Sequence, residues 1–108
     1  MKTPETVRVG GIDYAVVETK GLNNGAQMLY GRIDYQKSII ELNPEVQAHQ
    51  MKCVTLWHEI IHGIIEHSCI NIKESTEEVI IDMIAKGVYQ VLQDNSGNFF
   101  DLCKGNAS

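Results

Sequence analysis

The chain has 108 residues, of which 44% are hydrophobic and 21% charged, a composition typical of one globular domain and unlike that of a disordered chain. Its formal net charge is −5, so the basic surface that binds phosphates is missing and we expect no direct contact with nucleic acid. Three cysteines without a C-x-x-C spacing argue against a disulfide framework. No apolar run is long enough for a membrane span or a signal peptide, so we expect a cytoplasmic protein that does not bind membranes.

The first part of the chain predicts a small sheet. Residues 7–18 are rich in Val, Ile and Tyr around Gly10-Gly11 and predict a hairpin with strands near 6–9 and 12–18. Two Gly and two Asn within residues 20–27 predict a loop. Two more short strands are predicted at residues 29–35 and 38–42. The β-rich region, residues 5–42, is therefore expected to form a mainly antiparallel sheet.

The second part predicts two helices. Asn43-Pro44-Glu45 combines a preferred N-cap residue with Pro at the first helical position, so a long helix is predicted over residues 44–68. A second helix is predicted from Ser75 or Thr76 to about Gln93, with Asp94 and the residues that follow ending it. Strands followed by helices predict a single α+β domain over residues 1–108, with a helical region at 44–94 and a short tail at 95–108.

The first predicted helix contains an H-E-x-x-H motif, His58-Glu59-Ile60-Ile61-His62. Two histidines four residues apart lie on one helix face, where both rings can bind the same tetrahedral zinc ion. Glu59 is one residue further around the helix, within reach of a water on that metal as its general base. The motif predicts one Zn²⁺ per chain. The alternative is an amphipathic helix that happens to carry two histidines.

A catalytic zinc needs a third protein ligand. His49 and His67 are poor candidates, because each lies nine residues from His58 and so on the opposite side of the helix. Their position predicts polar side chains that face away from the site.

The second helix offers three carboxylates instead, Glu77, Glu78 and Asp82. We predict that Glu78 is the ligand and that Asp82, one turn later, accepts the spare N–H of a ligating histidine. Because residues 75–78 also match a capping box, in which Glu78 would bind the backbone, Asp82 and Glu77 remain alternative ligands.

Two segments of the chain, TLWHEIIH at residues 55–62 and EVIIDMIAKGVYQVLQDN at residues 78–95, resemble zincin metallopeptidases with a glutamate ligand. The chain looks most like small phage and prophage proteins related to the ImmA/IrrE family. This resemblance implies a minimal zincin-like domain, with a small sheet beside the motif helix. It also implies that Ile39–Leu42 is an edge strand, which binds an extended peptide by β-augmentation.

Carried over by position, the resemblance makes His58 and His62 zinc ligands, Glu59 the general base and Glu78 the distal glutamate. Zincins often use a further Tyr or His to stabilise the transition state, and Tyr35 is the better placed of two candidates.

The second candidate for that role is Tyr89.

The expected function is a zinc-dependent metallo-endopeptidase in which Glu59 is the general base. By analogy with the family, it would be phage-encoded and act on a repressor-like protein. The alternative is a non-catalytic zincin-fold module that binds metal or a protein partner. An intact Glu59 favours the enzyme, because a closed structural metal site needs no general base.

Overall fold

The computed structural model describes residues 3–69 and 71–103, with side chains up to residue 95. Four strands are followed by two helices, which confirms the predicted α+β class. The strands are β1 (Thr6–Val9), β2 (Ile12–Glu18), β3 (Gly31–Asp34) and β4 (Ile39–Leu42), and the helices are α1 (His49–His67) and α2 (Glu74–Cys103). Neither helix of this described part is long and apolar enough to cross a membrane.

The four strands form one sheet in the order β1-β2-β4-β3. The pairs β1–β2 and β3–β4 are antiparallel, whereas β2–β4 is parallel, so the sheet is mixed. The prediction that Ile39–Leu42 is an edge strand is wrong, because β4 pairs with strands on both of its sides. The edge strands of this sheet are β1 and β3, and both contact α1. The loop over residues 19–30, which connects β2 to β3, is long enough for β3 to leave the position beside β2 to β4.

Helix α1 packs against one face of this sheet. The core between them contains six buried side chains: Val9, Tyr14, Ile40, Leu42, Leu56 and Ile60. The helix lies close to the sheet because it carries a glycine at the crossing. A Cβ at Gly63 would lie 3.1 Å from Val9 Cγ1 and 3.2 Å from Ile33 Cδ1. The residue after the second motif histidine is therefore in contact with the sheet.

Helix α1 begins at His49, so the predicted start at residue 44 is five residues too early. Asn43 does not cap the helix, since its buried side chain is engaged in the preceding loop. Its Nδ2 donates to the Leu29 carbonyl at 3.1 Å, and its Oδ1 accepts from the Glu45 N–H at 3.0 Å. This second contact is an Asx turn, the alternative that Asn offers a backbone at such positions.

Helix α2 begins at Glu74, next to the predicted start, and packs only on α1 among the described elements. Its contact with α1 centres on Ile81 and Ala85, which are fully buried against Ile61. The predicted end near Asp94 corresponds to a kink, because Asn95 has non-helical torsions (φ −132°, ψ 21°). The predicted tail is wrong up to Cys103, since residues after the kink are helical. Residues 104–108 of that tail lie outside the described residues.

Candidate metal centre

The two motif histidines lie one turn apart on α1, with ring centroids 4.9 Å from each other. Both present Nε2 to the carboxylate of Glu78 on α2. Glu78 Oε2 is 2.7 Å from His62 Nε2, and Glu78 Oε1 is 3.3 Å from His58 Nε2. The ligand atoms of these residues lie within 4.8 Å of one another, so the group could hold a metal ion.

The packing of the two helices brings Glu78 to the histidines. Ile81 is buried against α1, and Glu78 precedes it by three residues, which places both on neighbouring positions of one helix side. The capping box considered for residues 75–78 is not formed, because α2 already begins at Glu74 and Ser75 lies inside it. The Glu78 carboxylate contacts imidazole nitrogens instead.

The other two carboxylates differ in their distance from the histidines. Glu77 Oε2 lies 2.8 Å from His62 Nδ1, within hydrogen-bond distance. Asp82 Oδ1 lies 3.9 Å from His58 Nδ1, and Asp82 Oδ2 accepts from Lys86 Nζ at 3.2 Å. The structure thus places Asp82 near a histidine but beyond a hydrogen bond. Of these two acids it is Glu77, considered at first only as an alternative ligand, that lies within hydrogen-bond distance of a histidine ring nitrogen.

Glu59 is buried beside the histidines, with 8% of its surface exposed. Burial raises the pKa of its carboxyl to about 7. The nearby His62 opposes this rise, the charge of Glu78 adds to it, and a hydrogen bond from the Ile33 backbone N–H also opposes it. A carboxyl whose pKa lies near neutrality can both accept and release a proton there, as general acid–base catalysis requires.

These groups open into a groove of about 1000 Å³. Its walls are β3 on one side and α2 on the other, with His58, Glu59 and His62 between them. Within the described residues, β3 pairs only with β4 and so presents an unpaired edge to the groove. Apolar side chains from the loop before β3 and from α1 also line the groove: Met28, Leu29, Tyr30, Met51 and Val54.

Tyr35 follows β3 and lines the same groove, with 39% of its surface exposed. Burial, with a smaller contribution from the charge of Glu66, raises the pKa of its hydroxyl to about 12. The hydroxyl therefore stays protonated at neutral pH and can donate a hydrogen bond. Tyr89 is not among the described residues that line the groove.

The two histidines predicted to face away from the site lie outside the metal-binding group. The ring of His67 packs near Gly10, and its Nε2 is 2.7 Å from the Tyr14 hydroxyl on β2. His49 is near the start of α1, where its Nε2 is 3.8 Å from Cys53 Sγ.

Comparison with models of protein families gave no match, and comparisons with curated proteins and with solved structures gave none either. The resemblance to ImmA/IrrE-related zincins therefore stays a prediction from the sequence.

Sequence reasoning did not include two glycines that shape this site. A Cβ at Gly31 would lie 2.6 Å from Thr55 Cγ2 and 3.4 Å from Glu59 Cγ, so β3 can approach Glu59 only without a side chain there. Gly63 allows the same approach one turn further along α1. Gly63 could have been recognised from the sequence, because a glycine inside a helix lowers helix stability by about 1 kcal/mol relative to Ala. Such a glycine indicates that close packing requires it. Gly31 could not have been recognised in this way, since the residues it packs against, Thr55 and Glu59, are distant in sequence.

Proposed function

We propose that this chain is a zinc-dependent metallo-endopeptidase. The observation that carries the proposal is the convergence of His58, His62 and Glu78 on one point beside the buried carboxyl of Glu59. Two imidazole nitrogens and one carboxylate oxygen are a donor set that catalytic zinc uses. Three protein ligands leave a fourth coordination position open for chemistry. Zinc held there would supply an activated water and polarise the carbonyl of a peptide bond.

The protein's own groups have separate roles in this proposal. Glu59, buried beside the two histidines, accepts a proton from the attacking water and delivers it to the leaving amine. The unpaired edge of β3 binds the substrate as an added strand, in the way the resemblance predicted for β4. Tyr35 donates a hydrogen bond to the carbonyl oxygen as negative charge develops on it.

A second candidate function is a non-catalytic metal-binding module that docks a protein. The observation that favours it is an apolar surface on the outer side of α2, where Val79 and Met83 are 63% and 68% exposed. Such a surface on a small protein is typical of a contact with a partner. The same experiment separates the two functions.

The test combines metal content by elemental mass spectrometry with cleavage of a mixed peptide library, followed by cleavage of repressor-like proteins. Wild type is expected to carry about one zinc per chain and to cleave peptides. His58→Ala should lose both properties. Glu59→Gln should keep the metal and lose cleavage. His49→Ala is the matched control, since it removes an exposed α1 histidine outside the centre.

Each outcome has a definite meaning. Cleavage retained by Glu59→Gln would exclude this residue as the general base. A wild-type protein that takes up no zinc would refute the metal centre itself. Stoichiometric zinc without cleavage of any peptide or protein would reject the peptidase and favour the non-catalytic binding module.

A further inference from the structure

Two consecutive glutamates of α2 contact opposite ends of one imidazole ring. Glu78 Oε2 lies 2.7 Å from His62 Nε2, and Glu77 Oε2 lies 2.8 Å from His62 Nδ1. Residues adjacent in a helix project about 100° apart, so the two carboxylates diverge and reach the ring from different sides. We propose that Glu77 is a positioning residue that holds His62 in the orientation and tautomer a metal ion requires. This inference rests on the metal centre of the proposed function.

The chemistry of the contact bears on the position of the ring hydrogen. An ionised carboxylate only accepts hydrogen bonds, so a hydrogen bond to Glu77 requires a hydrogen on Nδ1 of His62. Nε2 faces a carboxylate oxygen too, that of Glu78 at 2.7 Å, so the contact with Glu77 alone does not fix the tautomer. A metal ion that took the Nε2 lone pair would leave the single ring hydrogen on Nδ1, where Glu77 accepts it. The negative charge of Glu77 also makes the ring a better electron donor.

The surroundings of Glu77 suit a positioning role. Its side chain is 20% exposed, against 52% for that of Glu78, so its hydrogen bond is better shielded from water and salt. Glu77 does not line the groove where a substrate would lie, but a separate polar pocket on the other side of His62. It would therefore act through His62 and touch neither substrate nor metal.

The two histidines are not equivalent in this respect. Asp82 Oδ1 is 3.9 Å from His58 Nδ1, too far for a hydrogen bond, and the other Asp82 oxygen accepts from Lys86. The sequence pattern favoured Asp82 as the orienting carboxylate, whereas the geometry points to Glu77. Substitution of Glu77 should therefore weaken metal binding, whereas substitution of Asp82 should have little effect on it.

The first measurement is the zinc dissociation constant, obtained by competition with a chelator. Glu77→Gln is expected to weaken zinc binding about 10- to 100-fold, and Glu77→Ala at least as much, because loss of an orienting partner has effects of this size. Asp82→Asn should change the constant less than about threefold, since it makes no hydrogen bond to a ligand. Glu74→Gln is the matched control, because it removes the same charge one turn earlier on α2.

The second measurement is the ring ¹H–¹⁵N NMR spectrum of His62, with and without zinc. The wild type should show a hydrogen-bonded, slowly exchanging Nδ1–H, which Glu77→Ala loses and the two control variants keep. If neither the wild type nor any variant binds zinc, the proposed function fails. The spectrum of metal-free His62 still decides whether Glu77 orients this ring.

Two results would overturn the inference. One is an Nδ1–H signal of His62 that survives Glu77→Ala. The other is an unchanged zinc affinity in both Glu77 variants. A lower melting temperature of metal-free Glu77→Ala with an unchanged His62 spectrum would likewise assign Glu77 a purely structural role and overturn the inference.

Discussion

Glu59 and His58 are neighbours on α1 and both border the groove, yet only Glu59 is buried. The difference arises because β3 covers Glu59, while His58 lies at the groove surface, where its Nε2 is 3.3 Å from Glu78 Oε1 of α2. The cover is possible because residue 31 is a glycine, whose missing side chain leaves room for Thr55 and Glu59. A strand glycine is thus part of the arrangement that raises the pKa of the Glu59 carboxyl.

Gly31→Ala is expected to destabilise the metal-free protein by about 1–3 kcal/mol, the usual range for overpacking. A Cβ there would lie 2.6 Å from Thr55 Cγ2 and 3.1 Å from the Glu41 carbonyl oxygen, so strand and helix must separate. Urea denaturation measures the change. A free energy of unfolding equal to that of wild type would show that α1 does not rest on β3 at this point.

At the scale of elements, α2 is an unusual helix because apolar residues lie on two of its sides. One side, with Ile81 and Ala85, is buried against α1. The other side carries large exposed residues: Val79, Ile80, Met83, Ile84 and Val91. Gly87 lies in the middle of this exposed side, and nothing lies within 4 Å of the position its Cβ would take.

Two helical glycines should therefore respond differently to the same substitution. Gly87→Ala is expected to stabilise the protein by about 0.5–1 kcal/mol, since Ala has the higher helix propensity and open space receives the methyl group. Gly63→Ala should not show this gain, because its Cβ would crowd Val9 and Ile33. Thermal and urea unfolding of both variants measure the contrast, and an equal gain at both positions would contradict it.

At the scale of the whole molecule, the candidate metal centre lies between two helices, of which only α1 contacts the sheet among the described elements. Helix α1 is fixed to the sheet, whereas α2 packs only on α1 among the described elements. The residues that could hold a metal ion come from both helices, two from α1 and one from α2. A bound ion would therefore link α2 to the rest of the fold near its first turn.

Zinc is accordingly expected to raise the melting temperature and to slow amide exchange in α2 more than in β1 and β2. A ligand at 100 times its dissociation constant stabilises the folded state by about 2.7 kcal/mol, and a chelator should reverse the effect. Calorimetry and hydrogen exchange measure both changes. Glu78→Ala is the control, because it should abolish the zinc-dependent shift, and a shift that persists in this variant would contradict the ligand set.

The local sequence pattern was sufficient to predict several features of this protein. The α+β class, the four strand positions and the presence of two helices follow from hydrophobic period and turn residues, which act over a few neighbours. The shared face of His58 and His62 follows from the helical repeat alone, as does the exclusion of His49 and His67 from it. These features needed no knowledge of distant contacts.

Tertiary structure decided the rest. The sheet order, and with it the edge strand beside the groove, depends on which strand the loop over residues 19–30 reaches. The start of α1 depends on backbone partners that bind the Asn43 side chain from a distant loop. The choice between Glu77 and Asp82 as the hydrogen-bond partner of a histidine depends on the register in which α2 packs on α1. Long-range packing sets each of these, because a difference of a few ångströms between elements determines which polar groups meet.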